Sequence, residues 1–154
     1  MISGIEIKRV GDFLPRPRYL IYLVEKPENS DNYIPLEGLV DNNTLLQLRE
    51  REIGNLTFYY NKQVLLSTGY FPFGSSPTPN NRFLLGKGIA DRIDLIVADD
   101  LLELFGEDDL IIFNTESKHR QDQLKRQGIE LGRKYTLKEY YEIINSNIGI
   151  LNSF

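Results

Sequence analysis

A chain of 154 residues, 41% hydrophobic and 26% charged, has the ordinary mixture of a globular domain and enough apolar material for one core. With no cysteine and one histidine, His119, it excludes disulfides, thiolate zinc sites and cysteine nucleophiles, and it gives little support to a Ser-His-Asp triad or a His-rich metal site. The formal net charge of -4 argues against a general nucleic-acid footprint, which would be basic.

The opening MISGIEIKRV lacks the basic start and apolar centre of a signal peptide. No segment approaches the roughly 20 apolar residues needed to cross a bilayer. The expectation is a soluble protein made in the cytoplasm.

In chain order, residues 1–70 read as a β-rich N-terminal part. Ile5, Ile7 and Val10 alternate with polar residues, and a β-rich run follows from Tyr19 to Val24. Pro15, Pro17 and Pro27 bracket that run, because proline cannot donate to a sheet ladder. Residues 28–35, ENSDNYIP, read as a polar loop. The acid-amide run Asp41-Asn42-Asn43-Thr44 offers an N-cap for a short helix, TLLQLRERE, closed by Gly54. The clearest hairpin is LTFYY-NK-QVLLSTGY, turning at Asn61-Lys62. Residues 71–81 concentrate Pro, Gly, Ser and Asn and read as a linker or ordered loop.

From residue 82 the texture changes to short helices. Ile89, Ile93, Ile96 and Val97 recur at helical spacing, with Asp91 and Asp94 in the early turns. Asp99 or Asp100 is placed to cap LLELF, which Gly106 would end, and Asp108 or Asp109 to precede LIIF, whether helix or strand. Residues 115–154 read as C-terminal helices: a polar one over 116–131, then LKEYYEII, opened by a capping box of Thr136 and Glu139.

Two constellations invite chemistry. A metal-dependent nuclease of the PD-(D/E)XK type needs an Asp and a Glu on Mg²⁺ with a nearby Lys; Asp94 (or Asp91), Glu116 and Lys118 supply those types, and the bases of 118–126 would touch phosphates. The plainer account makes these acids caps or first-turn residues and the bases a solvated helix face. Gly86-Lys87-Gly88 suggests a phosphate loop but lacks the full glycine-rich signatures, so it reads as a turn. The aromatic runs Phe58-Tyr59-Tyr60 and Tyr140-Tyr141 read as core or half-buried pairs. The acidic stretch 99–109 also suits capture of a basic protein partner.

Residues 61–114 carry a resemblance. ADRIDLIV at 90–97, LFGEDDLIIF at 104–113 and then Asn114 follow a strand pair and a Pro-rich loop. That order is similar to the LysM-like baseplate-wedge proteins of phage tails and contractile injection systems. The family's Gly before Asp is Ala90 here, and its Trp-rich helix is LIIF.

The resemblance implies an α+β chain: a β-rich half with a hairpin, a short-helix LysM-like βααβ module over 82–114, and C-terminal helices. It further implies a non-enzymatic structural subunit without cofactor, packed against other protein subunits in a virion tail or injection machine. Extended N-terminal residues would then pair with a neighbour's sheet edge, and the C-terminal helices would dock.

Overall fold

The computed structural model describes residues 1–10, 16–67, 83–84, 86–116 and 118–152, without the side chains of His119 and 149–152. The loop expected at 71–81 and the His119 side chain therefore lie outside the described residues. The architecture is α+β. Seven strands form one sheet in the order β3-β1-β2-β4-β5-β6-β7.

Strand β1 (Gly4–Val10) pairs antiparallel with β2 (Arg18–Val24) on one side and with β3 (Tyr33–Pro35) on the other. The stretch 28–35 is thus not all loop. It makes a short 3-10 turn at Ser30–Asn32 and then the edge strand β3. Buried Glu6 organises that turn: its Oε2 accepts from the backbone N–H groups of Glu28 and Asn29 at 3.0 and 2.8 Å. Gly4 is required by the close approach of β3, since a Cβ there would run into the Ile34 carbonyl and the Tyr33 ring. β2 thus pairs the whole of β1 on one edge, and β3 pairs Gly4–Glu6 on the other, so the N-terminal residues form an inner strand of this sheet.

Helix α1 (Asn42–Gln47) starts as expected, with Asp41 Oδ1 accepting from the Thr44 N–H at 2.9 Å. It stops at Leu48, and Gly54 is not its cap. Gly54 lies inside β4 (Arg51–Asn61), opposite Ile21 of β2, where the register shifts by a bulge. The alternation of buried Leu56 and Phe58 with Thr57 and Tyr59 overrides the helical reading of the preceding charges.

The hairpin to β5 (Val64–Ser67) is present, one residue later than expected. Asn61 pairs with Val64, and Lys62 and Gln63 form the turn with positive φ of 50° and 66°. Positive φ at both central residues is the mirror-image turn whose twist suits a hairpin.

Between β5 and the parallel strand β6 (Leu110–Phe113) the described chain runs through one helix, α2 (Ile89–Leu104). This differs from the two short helices that the resemblance implies. Asp99 and Asp100 stand inside α2 and do not cap a second helix. Continuity wins because Ile89, Ile93, Val97 and Leu101 form one buried stripe along the whole length. Asp109 does its capping outside any helix: its Oδ2 accepts from the Gly106 N–H at 2.8 Å and tightens the turn before β6. LIIF is the strand β6.

Helix α3 (Lys118–Arg126) follows, shorter than the predicted 116–131. Strand β7 (Lys134–Thr136) pairs antiparallel with β6, and α4 (Leu137–Asn152) closes the chain. The capping box at its head is formed: Thr136 Oγ1 accepts from the Glu139 N–H at 3.0 Å, and Glu139 Oε1 from the Thr136 N–H at 3.2 Å.

The register shows which face of the sheet is covered. Tyr19 opposes Leu56, and Phe58, Ser67 and Phe113 share a rung two residues on, so all five point to one side. Tyr19 bonds Asp100 of α2, and the Phe113 ring meets Tyr140 of α4 at 4.8 Å between centroids. Both long helices therefore pack on that face. The other face carries the rung Tyr59–Leu66–Ile112–Lys134, of which Tyr59 is 40% and Leu66 36% exposed.

The direction of α2 follows from its ends. Phe105, just past its C-terminus, packs on Tyr60 at 4.5 Å between ring centroids, beside the hairpin turn where β5 begins. The N-terminus of α2 accordingly lies toward the carboxyl ends of β5 and β6. No described helix is long and apolar enough to cross a membrane.

Candidate functional site

A parallel strand-helix-strand unit presents the positive end of its helix, and the carboxyl ends of its strands, to one crevice. In this chain the head of α2 is Gly86-Lys87-Gly88. Both glycines are left-handed, with φ of 73° and 70°, a conformation that side chains rarely adopt. Gly88 is the N-cap, and among the described residues no side-chain cap bond is made to the first-turn N–H groups. Those donors have no partner within the helix by construction.

A cavity of about 430 Å³ opens there, lined by Gly86, Lys87, Gly88, Asp91, Arg92, Arg126 and Ile148. Three cations from a turn and two helices thus converge on an uncapped helix head. Among the described residues none of Lys87, Arg92 and Arg126 forms an ion pair with a carboxylate. Arg126 also sits in the last turn of α3, where a cation favours the helix dipole on structural grounds alone.

Beneath the cavity lies a buried polar network. Arg120 of α3 donates to Asp94 through Nη1 and Nη2 at 2.9 and 3.1 Å, and Nη1 also reaches Gln123 Oε1 at 2.6 Å. Gln127 Nε2 donates to Asp94 Oδ2 at 2.9 Å and to Asp91 Oδ1 at 2.6 Å. Asp94 and Arg120 are 1% and 6% exposed. Burial works against the Arg120 charge, but Asp94 outweighs it and holds the guanidinium above its ordinary pKa. Burial and then the Asp94 charge push the Tyr140 phenol well up.

The nuclease candidates are distributed differently from what that chemistry needs. Asp94 is on a helix, not a sheet strand, and both of its oxygens are engaged by Arg120 and Gln127. Glu116 is exposed in the connection after β6, and Lys118 is exposed at the start of α3. Among the described residues no three acids or histidines gather at metal-ligand spacing. What the sequence offered as a metal ligand is the anionic half of a buried ion pair.

Sequence reasoning placed the turn at 86–88 correctly but missed Arg92 and Arg126 as its companions. The available signal was a Gly-x-Gly immediately ahead of an apolar-periodic helix, the local pattern of an anion site. The Asp94–Arg120 pair, 26 residues apart, had no sequence signal. Comparison of the chain with family models, curated proteins and solved structures found no match.

Proposed function

We propose that the chain binds a phosphate-bearing small molecule in the cavity at the head of α2. The observation that carries this reading is the convergence of Lys87, Arg92 and Arg126 on a helix N-terminus; among the described residues the three cations are unpaired and no side chain caps the helix. The uncapped N–H groups supply directed donors, and the cations supply charge at the rim, where two arginines suit the planar geometry of phosphate oxygens. The head of α2 points to the same side as the carboxyl ends of β5 and β6, the side on which open sheets place their ligands.

The test is an NMR titration with inorganic phosphate at low salt. The amides of Gly88, Ile89 and Ala90 should move together, saturate, and lose the response when Arg92→Glu reverses one charge. Shifts scattered over the lysines of the surface, with none at those three amides, would sink the reading.

A second reading keeps the chain as a structural subunit of a phage tail or injection machine, as the resemblance implies. It is supported by the sheet face opposite the two long helices, where Tyr59 and Leu66, each more than a third exposed, sit side by side on neighbouring strands. Light scattering and mass spectrometry of the natively purified protein decide it. Co-purifying subunits lost in a Tyr59→Ser, Leu66→Ser variant support packing through this face; a monomer without companions counts against it. A Mg²⁺-dependent nuclease using Asp94, Glu116 and Lys118 has less support, because Asp94 would first have to leave Arg120. Unchanged DNA-cleaving activity in Glu116→Ala would dispose of it.

A further inference from the structure

We infer that Asp91 is the specificity-determining residue of the cavity, selecting phosphate esters that carry hydroxyl groups over inorganic phosphate. The inference rests on the phosphate reading of the same cavity. A site made for the bare anion has no use for a carboxylate, which repels it. Asp91 nevertheless lines the cavity with Lys87, Arg92 and Arg126. Among the described residues it forms an ion pair with none of them.

What holds Asp91 is Gln127. The amide Nε2 donates to Asp91 Oδ1 at 2.6 Å and is steadied by Asp94 Oδ2 at 2.9 Å. Gln127 is itself only 4% exposed, and its Oε1 is a buried acceptor with no donor among the described residues. One carboxylate oxygen of Asp91 is therefore committed, and Oδ2 has no protein donor among the described residues. An ionised carboxylate accepts hydrogen bonds and cannot donate them. The complementary ligand brings its own donors beside its phosphate, as the hydroxyls of a sugar phosphate or nucleotide do. The volume of about 430 Å³ suits such an ester and exceeds the need of a lone phosphate.

The experiment measures affinity by calorimetry for two probes, inorganic phosphate and ribose 5-phosphate, at one low ionic strength. The native chain should bind ribose 5-phosphate roughly 10-fold or more tightly, the scale of one charge-assisted hydrogen bond. Asp91→Asn should move the probes in opposite directions: phosphate tightens as repulsion is removed, and ribose 5-phosphate weakens. Gln127→Met, which keeps the side-chain volume and loses the grip on Asp91, should reduce the preference for ribose 5-phosphate over phosphate. If the native chain binds neither probe, the phosphate reading itself is wrong. If it binds both equally, or if Asp91→Asn tightens both alike, the phosphate reading stands and the specificity role is overturned.

Discussion

The molecule is held together by two different kinds of interface. Between β1, β2 and β4 the contact is apolar, and toward α2 it is mostly so, with Tyr19 and Arg9 reaching Asp100 at its margin: Ile5, Ile7, Ile21, Leu23, Leu56 and Phe58 are almost fully buried. Between α2 and α3 it is ionic, with Arg120 and Gln127 buried beside Leu124 and directed at Asp94 and Asp91, and buried Gln123 accepting from Arg120. Apolar burial is non-directional and scales with area. A buried ion pair adds little net stability relative to apolar residues of the same shape, but it tolerates few geometries. The difference teaches that the sheet side is specified by volume and the α2–α3 side by direction. The second is the side that sets the rim of the cavity.

The comparison breaks most visibly at the ion pair. Asp94→Ala strands the Arg120 charge and should cost about 3–5 kcal/mol in urea unfolding. The double replacement Asp94→Leu with Arg120→Met should recover most of that loss, which no truncation in the apolar half can imitate. There, Phe58→Ala should also cost about 3–5 kcal/mol, and no single partner substitution should rescue it. Failure of the double variant to recover stability would mean that the α2–α3 contact is also specified by area.

Smaller effects sharpen the same contrast. Thr136→Ala removes one half of the α4 capping box and should cost about 1 kcal/mol, independent of the ionic network. At neutral pH Tyr140→Phe should change stability least of all, because the Tyr140 hydroxyl stays protonated there. Its folded pKa is raised, first by burial and then by Asp94, so the neutral form is favoured in the fold. Stability is then complete below the unfolded value of about 10 and falls as pH rises beyond it. Buried Tyr19, raised by burial and by its bond to Asp100, acts in the same direction. A pH titration of unfolding should show a shallower alkaline decline in Tyr140→Phe; an unchanged slope would remove Tyr140 from the account.

The legible parts of the sequence are those in which short-range pattern and tertiary packing agree. Alternation over β1 and β2, the β4–β5 hairpin and the Thr136–Glu139 capping box could all be seen because their determinants lie within a few residues of each other. Gly54 misled because a glycine after charged residues signals a helix end, whereas here it sits at a bulge whose cause is the partner strand β2. β3 was hidden by its brevity and by the polar residues around it. Asp99 and Asp100 resembled caps because cap residues are common in any first turn; only the buried stripe from Ile89 to Leu101 shows that the helix runs through them. The cavity was half legible. The glycine turn is local, but Arg126 reaches it through the fold, by a helix that Arg120 anchors to α2 at Asp94.

The two ends of the sheet have a consequence for the protein in concentrated solution. Each terminal strand is three residues long; one ends in the exposed Pro35, which offers no N–H, and the other begins with the exposed Lys134. Ribbons grow by adding strand to strand, and among the described residues neither terminal strand itself offers a long run of free backbone. Short terminal strands marked by a proline and a lysine make strand-to-strand growth at these two borders unfavourable.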